Sequence, residues 1–118
     1  RISYIQAHLI MTDGNIKQAI EHFQNVIDEN HPDNNNDIAV SAKKLGEAQL
    51  QKKNYKEAVK YLNKAINKVG GYSDAYTLRG VSHYYLNDTI SCRKDMDKAI
   101  ILNPKDITAK NFLKILNK

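Results

Sequence analysis

A lone cysteine, Cys92, leaves no room for an internal disulfide framework or a multi-cysteine zinc site. It is compatible with a reducing compartment, and a cytoplasmic setting is favoured without being required. Only 2 prolines and 5 glycines interrupt the 118 residues. Long helices are therefore allowed, and the closely spaced turn signals of an all-β domain are missing. No apolar run reaches the length of about 18 residues that spans a bilayer, and no secretory signal is present. Arginine is scarce. The net charge of +5 comes from 15 lysines and 3 arginines against 13 acids. That balance favours acidic partners slightly, but it lacks the arginines with which dedicated nucleic-acid binders read bases and phosphates.

Catalytic patterns are missing too. There is no Gly-rich phosphate loop, no serine nucleophile elbow and no His-Glu-x-x-His run, and none of the four histidines forms a one-turn pair with another. Asp95 and Asp97 fall on different sides of a helix and do not share a task. No enzyme, cofactor or metal is expected. His83 is read as a core or half-core residue, and Cys92 as a small buried apolar one.

What is there is a repeat. Gly46 to Gly80, Ala58 to Cys92 and Ala65 to Ala99 are each 34 residues apart. Small residues thus recur with gaps of twelve and then seven, and Ala7, Ala19 and Val26 follow the same rule 39 residues before the second copy. The five extra residues fall in the polar stretch from Asn30 to Asp37, where a longer loop is cheap. Small side chains let two helix axes approach closely. A seven-residue gap is about two turns and puts both small residues on one face. Phe23, Leu62 and Met96 share one surrounding apolar place, and Ile27, Ile66 and Ile100 another. Caps are read at Asn15 with Gln18, at Asn54 with Glu57, at Asp88, and at Asn103-Pro104. Gly70-Gly71 separates the second and third copies. The pattern predicts seven helices at about 2–12, 16–29, 38–52, 55–68, 73–86, 89–102 and 105–117.

The 34-residue period with Tyr76-x-x-Arg79-Gly80-x-x-His83, Ala42-x-x-Leu45-Gly46-x-x-Gln49, Ala19 to Phe23, Ala58 to Leu62 and the closing Pro104 resembles the tetratricopeptide repeat family. That resemblance implies an all-α, right-handed superhelical solenoid of antiparallel helix pairs. Three repeats are expected at about 1–33, 39–72 and 73–106, with a capping helix over 107–118. On that helix Phe112, Leu113, Ile115 and Leu116 would cover the third copy, with Lys110, Lys114 and Lys118 in water. The chain begins with Arg1 rather than Met, and an excised piece of a longer protein is expected. Tyr4, Ile5, Leu9, Ile10 and Met11 make the first helix apolar over much of its circumference. This implies further repeats or a partner upstream, or else a plain terminal helix.

The resemblance also places the first helix of each pair on the concave side. A groove for a peptide or partner segment is then expected from Tyr4, His8 and Met11, from Val40, Lys43, Glu47 and Leu50, and from Asp74, Thr77, Val81 and Tyr84. Its mixture of apolar, aromatic and charged groups suits an extended or helical peptide. A subclass of the family grips the C-terminal carboxylate of heat-shock chaperones with Lys and Asn, then Asn, then Lys and Arg. The matching places here hold Tyr4 and His8, then Lys44, then Asp74 and Leu78. A register one copy later gives Lys43, Glu47, Leu78, Thr108 and Phe112. From this mismatch no chaperone-tail clamp is expected. Lys56, Lys60, Lys64 and Lys68 form a stripe, read as a solvated outer face rather than a patch for lipid, nucleic acid or an acidic partner. A non-catalytic protein-binding scaffold is the leading reading. Two others stand beside it: a stacking segment of a larger repeat protein, self-associating through the N-terminal helix, and a basic RNA- or membrane-associating repeat. Nucleic acid and membrane are not the expected partners.

Overall fold

Two aspartates set two of the helix starts. Asp88 accepts a hydrogen bond from the Ser91 amide at 3.1 Å, and Asp106 accepts one from the Ala109 amide at 3.0 Å. Each satisfies a donor that the first helical turn leaves without a partner. The computed structural model describes residues 16–29 and 35–117. They form α1 (Ile16–Glu29), α2 (Asn35–Gln51), α3 (Tyr55–Lys68), α4 (Ser73–Tyr85), α5 (Thr89–Leu102) and α6 (Ile107–Leu116). The described residues hold no strand. The helix expected at about 2–12 lies outside them, as does Asn15.

Three local expectations need correction. The helix α2 begins at Asn35, three residues early, with Asp37 in its first turn, where the helix dipole favours a carboxylate. Asn54 makes no side-chain cap; it donates to Gln49 Oε1 at 3.0 Å, while Glu57 pairs with Lys60 instead. Asn103-Pro104 does not open the last helix. Asn103 ends α5, its Oδ1 accepts from the Lys105 amide at 3.2 Å, and the cap falls to Asp106.

Connections of three residues join α2 to α3 and α4 to α5, which forces antiparallel hairpins. Both turns use a left-handed residue, Lys53 (φ 64°) and Asn87 (φ 63°), 34 positions apart. Asn tolerates that conformation; Lys holds it against a cost of about 1 kcal/mol. Within each hairpin the helices cross at glycine. A Cβ on Gly46 would sit 2.8 Å from Leu62 Cγ, and one on Gly80 would sit 2.8 Å from Met96 Cε. Each helix packs on its successor, and in addition α2 touches α4 and α4 touches α6. The first core gathers Phe23 and Ile27, then Ile38, Ala42 and Leu45, then Ala58, Leu62 and Ala65, with Ala75 from α4. The second gathers Cys92, Met96, Ala99 and Ala109. Phe23, Leu62 and Met96 are all fully buried at their shared place. On α6, half-buried Phe112, Leu113 and Leu116 cover the second core, but Ile115 is 46% exposed and does not join them.

These crossings give a prediction. Gly46→Ala gains helix propensity of about 1 kcal/mol but drives a methyl into buried Leu62, an overpacking cost of about 1–3 kcal/mol. Urea unfolding is expected to show a net loss for Gly46→Ala. The loss for Gly80→Ala should be smaller, because its nearest neighbour is the flexible tip of Met96.

Candidate functional site: the inner face of α2, α4 and α6

Alternate helices approach one another only on the inside of a curved stack. The contacts α2–α4 and α4–α6 therefore mark the concave side. A cavity of about 270 Å³ lies there, lined by Lys43 and Glu47 of α2, Asp74, Thr77 and Leu78 of α4, Asn103 at the end of α5, and Asp106 and Thr108 at the start of α6. Four of the expected groove residues, Lys43, Glu47, Asp74 and Thr77, thus share one cavity. The fold brings them together because positions on the first helices of successive pairs fall side by side.

The cavity is charged and partly tied down. Lys43 Nζ stands 2.7 Å from Glu47 Oε1, one turn along the same helix. The Thr77 hydroxyl donates to the Asp106 carboxylate and also lies 3.2 Å from the Ser73 carbonyl. Asp106 therefore both caps α6 and straps it to α4. Asp74 is exposed at the rim. Val40 is half-buried on the same helix as Lys43. Leu50 packs half-buried on the first core, and Val81 and Tyr84 on the second, where Tyr84 meets Phe112 edge-on at 5.2 Å. Tyr4, His8 and Met11 lie outside the described residues.

Sequence reading missed a polar strap in the last repeat. The Arg79 fork holds Asp95 through Nη2 to Oδ1 at 2.7 Å and Nε to Oδ2 at 3.0 Å, and Nη1 donates to Asn63 Oδ1 at 2.9 Å. Its guanidinium also lies over Tyr76, 5.3 Å from the ring centre. One side chain on α4 thereby fastens α3 and α5. His83 stands 3.6 Å from Asp95 and 3.9 Å from Asp88, largely buried. The sequence offered only an indirect sign: 34 residues earlier Leu45 and Tyr61 occupy the places of Arg79 and Asp95. An apolar pair in one copy became a charged pair in the next.

Cys92 is fully buried, and burial, followed by the nearby Asp95 charge, pushes its thiol above the ordinary thiol range. That opposes formation of the nucleophilic thiolate. The exposed Asp88 carboxylate is held below the usual range by its hydrogen bonds to Ser91. Among the described residues no cluster of three His, Cys, Asp or Glu could hold a metal. No helix among them is long and apolar enough to cross a membrane. In the lysine stripe, Lys60 pairs with Glu57 at 3.3 Å, Lys56 is exposed, and Lys64 and Lys68 are half-buried.

Residues 11–80, more than half of the chain, match the model of the tetratricopeptide repeat. The chain belongs to the tetratricopeptide repeat family. Among curated proteins none matches. Similar solved structures include two TPR domains. The first TPR of Spaghetti (RPAP3) bound to the HSP90 peptide SRMEEVD has 21% identity and a TM-score of 0.82, over 97% of this chain and 86% of that one. The second TPR domain of human RPAP3 in complex with the HSP70 peptide SGPTIEEVD has 25% identity and a TM-score of 0.81, over 95% of this chain and 89% of that one. These structures overturn the expectation that a chaperone tail is excluded. That expectation compared side-chain types at five places, which is too narrow a test. The architecture persists at 21% identity, and the five places are a small part of the inner helices. Lys43 and Lys44 both stand on α2.

Two outcomes follow. Asp95→Ala removes two charge-assisted hydrogen bonds and leaves Arg79 without its counter-ion. A loss of about 2 kcal/mol in urea unfolding is expected. Cys92 has a raised pKa in the folded state, so its contribution is constant below the unfolded thiol value of about 8.5. Stability should fall as pH rises beyond that value. In Cys92→Ala this alkaline fall should be reduced.

Proposed function

We propose that this chain is a non-catalytic protein-interaction scaffold that holds a peptide or partner segment along the inner face of α2, α4 and α6. The observation that carries the reading is the cavity where these three helices meet, lined by side chains from each of them or its flanking turn. The similarity to two TPR domains solved with chaperone tail peptides supports it. In this reading Lys43, Glu47, Asp74 and Thr77 face the guest, with half-buried Val40 beside them on α2, while Leu50, Val81 and Tyr84 back the surface from the two cores. The proposed scaffold is the three repeats read at about 1–33, 39–72 and 73–106 with a closing helix over 107–118.

The chaperone tails are the first guests to test, because the two similar domains hold them. Titration calorimetry with SRMEEVD and SGPTIEEVD is expected to show saturable binding. The guest is anionic, so Lys43→Ala should weaken it. Asp74→Lys should tighten it by about 1 kcal/mol, roughly fivefold in Kd. Absence of saturable binding by both peptides, or binding indifferent to both substitutions, would contradict the reading.

A further inference from the structure

A second surface lies at the other end of these helices, where the turn after α2 meets the end of α4. A cavity of about 320 Å³ opens there, lined by Lys53, Asn54, Tyr55, Lys56, Glu57 and Leu86. It shares no residue with the inner-face cavity. Beside it the Tyr55 and Tyr85 rings stack with centroids 5.0 Å apart and planes 15° apart. Tyr85 meets Tyr84 edge-on at 5.4 Å, and Tyr84 meets Phe112 at 5.2 Å. A line of four rings thus runs from α6 through α4 to α3. Its third member, Tyr85, is packed between Tyr84 and Tyr55 and is still 52% exposed. A large apolar ring held rigid at the surface binds with little loss of rotamer freedom.

The turn itself is set in advance. Lys53 holds a left-handed φ of 64°, its amide donates to the Leu50 carbonyl at 3.0 Å, and the Asn54 amide donates to the Gln49 carbonyl at 2.8 Å. The Asn54 side chain is tied to Gln49 as well. Lys52, Lys53 and Lys56 are exposed around it. None of the three has an ion-pair partner among the described residues. The neighbouring Glu57 is engaged by Lys60. Lys53 and Lys56, unpaired among the described residues, therefore line an apolar hollow beside an aromatic ledge, with Lys52 next to them on the turn.

We propose that this turn is a docking surface for an acidic segment of a partner protein that carries one large apolar anchor residue. Charge complementarity fixes the sign of the guest, and the hollow offers the Tyr55 ring and Leu86 as apolar surface for the anchor. Carboxylates flanking the anchor meet Lys53 and Lys56. A nucleic acid fits less well. Tyr55 and Tyr85 each spend one face on the other, so a base cannot slide between the two rings. Arg79 and Arg93 are both committed to internal partners.

Fluorescence anisotropy tests this with a short fluorescein-labelled peptide of one Leu flanked on both sides by Asp and Glu. Saturable binding is expected, weakened at least about tenfold by the double substitution Lys53→Glu with Lys56→Glu, and weakened also by Tyr85→Ala. Replacing the peptide's Leu by Ser should abolish most of the binding. Lys43→Ala, on the inner face, should leave it unchanged, and circular dichroism should show the helices intact in every variant. The proposal is overturned by any of four results: no saturable binding, binding that survives the double substitution, binding that ignores the loss of Leu, or binding lost on Lys43→Ala. It is overturned equally if a single-stranded oligonucleotide or a phosphatidylserine vesicle binds through these lysines while the peptide does not.

Discussion

Helices can lie as close as α2 and α3 do only where one of them presents no side chain at the crossing. Gly46 and Gly80 provide that absence. Leu62 and Met96 fill the space a Cβ would need, to within 2.8 Å. Small residues on the second helices, Ala58, Ala65, Cys92 and Ala99, are buried to zero exposure and continue the close contact. Because each hairpin is thin where its helices cross, successive hairpins stack with their first helices turned inward. The contacts of α2 with α4 and of α4 with α6 follow. The inner cavity is a consequence: Lys43 and Glu47 of α2 meet Asp74 and Thr77 of α4 only because the crossing repeats.

The same geometry carries different chemistry in successive hairpins. The first core is closed by apolar residues, among them fully buried Leu45. Where Leu45 stands in one hairpin, Arg79 stands in the next, and its charge is met by Asp95 in place of Tyr61. The second core contains fewer fully buried residues than the first, and the Arg79 fork ties three helices around it. A partly buried ion pair adds little net stability when both partners are present but penalises arrangements that separate them. The strap therefore specifies which helices pair, while the apolar packing supplies most of the cohesion. Asp106 plays the same part for α6, serving at once as cap and as partner of Thr77.

Much of this was legible in the residues, and the failures have physical causes. The spacing of Gly46, Ala58 and Ala65 against Gly80, Cys92 and Ala99 announced the period, since close crossings tolerate few residue types. The shared place of Phe23, Leu62 and Met96 announced the core. Caps were less legible, because Asn54 and Asn103 can bond in several local ways and the turn geometry decides which; Asn54 turned to Gln49 and Asn103 to Lys105. The Arg79–Asp95 strap was hidden because a family pattern with Leu at that place gives no reason to seek a counter-ion sixteen residues on. The inner face was legible as a set of places but not as a surface. Which side chains share the cavity, and which turn into a core as Tyr84 does, depends on the angle between hairpins. The exclusion of chaperone tails failed for a related reason, as charge at single places does not fix the field over a whole face.

The account rests on the inner helices forming the guest-binding face. A backbone amide chemical-shift map of the isotopically labelled chain, recorded while SRMEEVD is added, tests it most directly. The account predicts that the shifts gather on α2, α4 and the start of α6, around Lys43, Thr77 and Thr108, and spare the outward sides of α3 and α5. Shifts concentrated on α3 and α5, with the inner helices unchanged, would contradict it.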